Sequence, residues 1–274
     1  MSKKVSRVDY SKSMLPRKRR EQFIDVFKMN YMVILKCGLM LLLFFAPLLA
    51  FSVFGDFYFM SLIDNSTEDV EQTKMLFHWL FNLGMILFSL IAVLGFSGVI
   101  RVLRNLIWGE GIYFRDDFAE GIKQNAGKNI IFALIFGGLY ALAYFIYSLF
   151  PETLISAFGL LMFALIFLPI FFWILFLNNT YSSSFGALLR NGLFFYVKTI
   201  GWSLLSMVVM LLLVGTIFIP MDLIWVKYII IVITTLFIYP IVLLVMTLYS
   251  TSKFDIFINK DNYPDYYLRG LNHD

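Results

Sequence analysis

The feature that most constrains this chain is a series of six long apolar blocks, at about 31–54, 76–100, 129–150, 154–177, 199–219 and 226–249. Each is long enough to cross about 30 Å of hydrocarbon as a helix, which takes roughly 20 residues. Such lengths exclude short buried core helices. With 60% hydrophobic and only 15% charged residues, the apolar content also exceeds what one soluble core would bury. The expected fold is therefore all-α: a polytopic membrane protein of about six transmembrane helices. Pro47, Pro169, Pro220 and Pro240 fall in or near these blocks. Kinks are expected there, with neighbouring helices re-satisfying the freed carbonyls.

The formal charge of +4 does not imply a nucleic-acid partner, because the basic residues crowd at the N-terminus and at helix ends rather than forming a face with aromatics. They read as topology signals. Residues 1–36 carry ten Lys and Arg, which holds this end in the cytoplasm. Six spans then place the 101–128 loop, the loop through Arg190 and Lys198, and the C-terminal tail on the same side, leaving Lys74 and Lys227 outside. The expected location is a membrane, multi-pass, with both termini cytoplasmic. No small-residue cleavage site follows the first apolar run, so it is expected to remain as a span. The organisation expected is a basic arm over 1–20, a transmembrane domain over 21–250 and a tail over 251–274. The bilayer is the principal partner, and anionic lipid attracts the arm by about 1 kcal/mol per well-placed charge. Trp79, Trp108, Trp202 and Trp225 lie near span ends, as headgroup-level anchors do.

Three segments, 23–30, 118–125 and 185–191, share a layout in which a short amphipathic stretch beginning with Phe reaches an Asn and enters a span. Apolar positions at helical spacing beside Lys or Arg suit a helix lying in the headgroup plane. The predicted plan is three helical hairpins, each preceded by a cytoplasmic interfacial elbow. Asn30, Asn125 and Asn191 would cap the spans or bond between helices, a contact worth about 1 kcal/mol in membranes.

Chemistry is sparse. Cys37 is the only cysteine and lies in an apolar run. His78 and His273 are expected on opposite sides of the membrane, which disfavours a shared metal. Glu110, Asp116 and Asp117 near Arg104 and Arg115 read as a salt-bridged loop rather than acid–base carboxylates. The middle of every span is uncharged, which disfavours ion coupling, and no phosphate loop or hydrolase motif occurs. No enzyme activity, cofactor or metal is expected.

The stretch 98–110, Gly-Val-Ile-Arg-Val-Leu-Arg-Asn-Leu-Ile-Trp-Gly-Glu, followed by Asp117, Phe118, Gly121, Lys123 and Asn125, resembles the YesL-like family of bacterial polytopic membrane proteins. The tail 262–271, Asn-Tyr-Pro-Asp-Tyr-Tyr-Leu-Arg-Gly-Leu, is similar to the ends of its members. That resemblance implies the bacterial plasma membrane as the location and an accessory role beside a carbohydrate ABC importer, with transporter subunits as partners. The candidate structural or docking residues are Asn30, Arg101, Arg104, Gly109, Asp117, Phe118, Asn125, Asn191, Pro264 and Gly270. The leading expectation is a non-catalytic integral membrane component accessory to, or regulating, a transporter. The alternative is a stand-alone transporter or channel for a neutral or carbohydrate-like solute.

Overall fold

The structure, a computed structural model, describes residues 15–64, 70–150, 154–211 and 224–272, and every regular element among them is helical. Helices α1 (Arg19–Met29), α2 (Tyr31–Asp64), α3 (Val70–Ile107) and α4 (Phe114–Leu149) come first. Helices α5 (Leu154–Met162) and α6 (Leu168–Thr180) follow, joined through a π-helical turn, Phe163–Phe167. Then come α7 (Phe185–Lys198), α8 (Ile200–Leu211), α9 (Ile224–Ile233) and α10 (Tyr239–Phe254), the last two joined by a π turn, Thr234–Ile238. A third π turn, Asp255–Asn259, leads into α11 (Lys260–Asn262) and a 3-10 turn, Pro264–Tyr266.

Among the described residues, five continuous stretches are long and apolar enough to cross a membrane, and a sixth is added if α7 and α8, bent by 94°, count as one. The all-α polytopic architecture expected from the apolar blocks is the one found. Helix α3 is its centre, packing along α2 and α4 and touching α6 and α10. Of the expected fifth span, α8 covers the part through Leu211, and the rest lies outside the described residues, as do most of the basic arm and His273.

Several helices outrun their apolar blocks. Asp56, expected in an external loop, sits within α2 and is paired with Lys227 and Tyr228. The last stretch runs unbroken to Asn262 instead of ending near 249. Charge alone does not stop a helix whose polar side chains find partners; stops need Gly, Pro or a competing cap.

Elbows form at two of the three expected places. Asn30 (φ −126°, ψ 25°) separates α1 from α2, and Thr199 (φ −130°, ψ 30°) separates α7 from α8. Each is a single-residue break with nearly the same backbone conformation. Asn30 donates its N–H to Val26 O and offers its own carbonyl to Ile34, while Thr199 does the same with Phe195 and Ser203. At the second expected elbow there is no break: residues 118–125 are the opening turns of the continuous α4. Two facts keep it straight. Gly121 lets α4 lie against Ser97 O and Arg101 of α3, and Asn125 turns its amide inward to Asn179 rather than capping. Asn191 also departs from expectation, lying inside α7 and not at its junction.

The prolines act as expected at two π turns. Pro169 lacks the N–H that would bond Leu165 O, and Tyr196 of α7 donates its hydroxyl to that carbonyl at 3.1 Å. Pro240 frees Leu236 O in the same way, and Gly38 of α2 approaches so closely that a Cβ there would overlap it. The widened i→i−5 bonds Leu168 N–H to Phe163 O and Tyr239 N–H to Thr234 O relieve the proline clash. Tyr196→Phe should lower stability in detergent by about 1 kcal/mol through the orphaned carbonyl. An unchanged thermal midpoint would show that carbonyl to be satisfied otherwise.

Candidate functional site: a polar cavity at the basic end

Two helical faces meet at the end of the bundle where α3 stops and α4 starts. On α3, Ser97, Arg101, Arg104, Asn105 and Trp108 recur at helical spacing; on α4, Asp117, Gly121, Asn125 and Asn129 recur every fourth residue. Helix α6 adds Asn178 and Asn179 at its polar end. The Asn129 amide donates to Ser97 Oγ at 2.9 Å, and Asn178 donates to Asn129 Oδ1 at 2.8 Å. Asn125 donates to Asn179 Oδ1 at 3.3 Å, and Ser97 Oγ lies 2.9 Å from Gly121 O. All of these side chains are buried. A buried polar network of this kind holds three helices in one register, because an unmet partner inside it is expensive.

Asp117 is fully buried and acts at the start of α4. One oxygen accepts the Tyr113 backbone N–H at 2.9 Å and the other accepts Asn105 Nδ2 at 3.1 Å. It thereby closes the first turn and places negative charge at the helix N-terminus, where the macrodipole favours it. Asn105 passes the contact on, its Oδ1 accepting Arg104 Nη2 at 2.8 Å. Arg104, only 5% exposed, also donates to the Asn179 carbonyl and lies 4.4 Å from the Trp108 ring centroid.

The chain leaves α3 through Gly109 in the left-handed region (φ 69°), with Gly109 N–H bonding Leu106 O and Glu110 N–H bonding Asn105 O. This is a Schellman stop, which needs a residue free of a Cβ. Phe118 packs its ring against Gly98 and against Phe44 of α2, anchoring α4 to the centre of the bundle.

The C-terminal tail and α1 close this end. Arg269 pairs with Glu110 at 2.7 Å and lies over Trp108 at 4.8 Å, and Tyr266 packs on the same indole. Gln22 of α1 donates to both Ile107 O and Gly270 O. Arg19 pairs with Asp255, whose other oxygen accepts Leu268 N–H and Asn259 Nδ2. Burial lowers the Arg19 guanidinium pKa, and Asp255 opposes that shift. Pro264 opens the 3-10 turn that folds the tail back.

What these parts enclose is a polar cavity of about 330 Å³, lined in part by Arg101, Arg104, Trp108, Lys128, Asn178 and Arg269. Of the residues singled out from sequence, Arg101, Arg104 and Asn125 line it, Asp117, Gly109 and Phe118 shape it, and Gly270 and Pro264 set the tail that closes it. Asn30 and Asn191 lie elsewhere. Trp108 is not a headgroup anchor: it is 7% exposed and sandwiched among cations, whereas Trp225, at 67%, remains outward-facing. Ser97, Asn129, Asn178, Asn179 and Gln22 were not among the expected site residues. The adjacent Asn178 and Asn179 after ten residues led by Leu168, together with the 121, 125, 129 spacing, were the available signals.

A second cavity, about 390 Å³, lies in the middle of the bundle and is lined mainly by apolar groups such as Phe45, Ile86, Phe96, Phe136 and Phe172. Its hydroxyls at Ser89 and Tyr140 are engaged with Ile86 O and Asn82.

Fold and site together define an all-α polytopic membrane protein with a basic, polar cavity at one end of its bundle. No protein-family model, curated protein or solved structure matches the chain.

Proposed function

We propose that this protein is a non-catalytic membrane component that binds a transporter and regulates or supports it, presenting its basic end to the partner in the cytoplasm. The observation that carries this reading is the joining of three separate segments into one platform. Helix α1, the 108–113 turn and the C-terminal tail share Gln22, Arg19–Asp255 and Arg269–Glu110 as cross-ties. Such ties across some 250 residues of sequence hold a surface in fixed shape, which docking requires. Exposed Tyr113, Arg115, Asp116 and Tyr267 stand on it. Bacterial origin, the inward orientation and a carbohydrate importer as the transporter rest on the positive-inside charge pattern and on the resemblance of 98–125 and 262–271 to the YesL-like family.

The competing reading, a pathway for a neutral solute, is less well supported by the middle cavity. Its walls are mostly phenylalanine and aliphatic groups, the hydroxyls of Ser89 and Tyr140 are already engaged, and Tyr239 is the remaining polar side chain there, so a polar solute would leave most of its hydroxyls unpaired.

Purification of the tagged full-length protein from its native membrane in mild detergent should recover permease or ATPase subunits in stoichiometric amount. The double variant Tyr113→Ser, Tyr267→Ser should keep its thermal midpoint and lose most of that recovery. A protein that repeatedly purifies alone would refute the docking reading and favour the solute pathway.

A further inference from the structure

We infer that the basic-end cavity is a binding site for a phosphate monoester, held between Arg104, Arg101 and Arg269. This goes beyond the docking reading and does not depend on any protein partner.

The argument starts from charge. Four cations line the cavity: Arg101, Arg104, Lys128 and Arg269. Arg101 is matched by Glu120 at 2.8 Å and Arg269 by Glu110 at 2.7 Å. The other two hydrogen-bond only to neutral groups among the described residues. Lys128 donates to Ser183 O at 2.6 Å, and Arg104 donates to Asn105 Oδ1 and Asn179 O. Glu110, which also lines the cavity, offsets Arg104 in part through space, and Asp117 stands behind Asn105, but no carboxylate pairs with the guanidinium. A cavity with up to two uncompensated positive charges calls for an anion, and a phosphate monoester carries about −1.5 to −2 at neutral pH.

Unmet hydrogen-bonding groups point the same way. The Trp108 indole N–H and Arg101 Nε are both buried without an acceptor, and both residues line this cavity. Trp108 holds Arg104 and Arg269 within 5 Å of its ring, at 4.4 and 4.8 Å. Two guanidinium groups so placed repel one another; Glu110 beside Arg269 offsets part of that charge, and a bound anion bridging them offsets the rest. Planar guanidinium forks suit phosphate oxygens, and unlike a lysine they bind bidentately. Asn178 also lines this space, and its buried Oδ1, which has no donor, is the acceptor we assign to a hydroxyl from the remainder of the ligand. The volume, about 330 Å³, is at the lower end of small-molecule sites, which start at about 300 Å³.

The phosphate monoester has two sources, a soluble ester or the headgroup of phosphatidic acid reaching in from the adjacent leaflet, and one experiment separates them. The full-length protein, exchanged into a phosphate-free detergent, is assayed for bound phospholipid by mass spectrometry. It is then titrated calorimetrically with inorganic phosphate, glucose 6-phosphate, glucose and succinate. The soluble source predicts 1:1 saturable binding of glucose 6-phosphate, weaker binding of phosphate, and none of glucose. The lipid source predicts one phosphatidic acid per chain that survives exchange. In either case Arg104→Gln should weaken binding at least tenfold, and Trp108→Phe, which keeps the ring and removes only the N–H, about threefold. Trp108→Phe keeps the test decisive if Arg104→Gln misfolds. The proposal is overturned if neither glucose 6-phosphate nor phosphatidic acid binds, if succinate binds as tightly as glucose 6-phosphate, or if a folded variant binds as the parent does.

Discussion

Replacing Gly270 with alanine is expected to release the C-terminal tail from the bundle. Gly270 sits at φ 81°, and a Cβ there would overlap the carbonyl of Ile107 at the end of α3 and come within 2.9 Å of Gln22 Nε2. Backbone strain for alanine in the left-handed region is about 1–2 kcal/mol. Displacement also breaks the bond from Gln22 to Gly270 O and leaves a buried amide short of an acceptor, at about 1–3 kcal/mol more. The sum, about 3 kcal/mol, exceeds what a tail held by a few cross-ties can absorb. Trypsin should therefore cut after Lys260 and Arg269 at least tenfold faster in Gly270→Ala than in the parent, measured in the same detergent. Gly138→Ala is the control, because nothing lies within 4 Å of a Cβ at that position. Equal cleavage rates for Gly270→Ala and the parent would show that the tail is not held through Gly270.

The sequence shows the membrane helices clearly because lipid imposes one simple rule on them, an apolar run of sufficient length. It shows the elbows less well. Asn30, Asn125 and Asn191 look alike in sequence, yet only Asn30 stands at a break, because whether a chain bends depends on what packs beside it. Gly121 and Asn125 are bound to α3 and α6, so α4 stays straight. Thr199, which has no Asn signature, bends instead. The cavity is legible in half. Arg101, Arg104, Asp117 and Asn125 stand out as polar residues near a short connection, but Asn178 and Asn179 belong to a helix more than fifty residues further on. That they close the same site follows from the packing of α6 on α3 and α4, which no local pattern encodes. Trp108 shows the converse error: its position near a span end suggests an interfacial ring, and only the tail folding back with Arg269 and Tyr266 buries it.

Asp117 provides the second large effect, and with it a way to separate stability from binding. Asp117→Ala leaves Asn105 Nδ2 and the Tyr113 N–H without their acceptors and removes the negative charge nearest to Arg104 along the network. Hydrogen bonds to a charged group are worth about 1.5–3 kcal/mol each when buried, so the loss should be about 3–5 kcal/mol, read as a lowered thermal midpoint. Asp117→Asn keeps one acceptor in place and should lose about 1–2 kcal/mol. Because Asn105 relays the carboxylate to Arg104, the two residues should couple: Asp117→Asn combined with Arg104→Gln should be less destabilising than the sum of the single changes by about 1 kcal/mol. Strict additivity would mean that Asn105 orients Arg104 without transmitting charge. The same asparagine variant should act oppositely on the cavity, since removing the anion behind Arg104 leaves its charge for a ligand. Affinity for the phosphate ester should rise severalfold while the fold weakens. A residue that held only the start of α4 would reduce both, so opposite signs identify Asp117 as the group that sets both the register of α4 and the residual charge of the cavity.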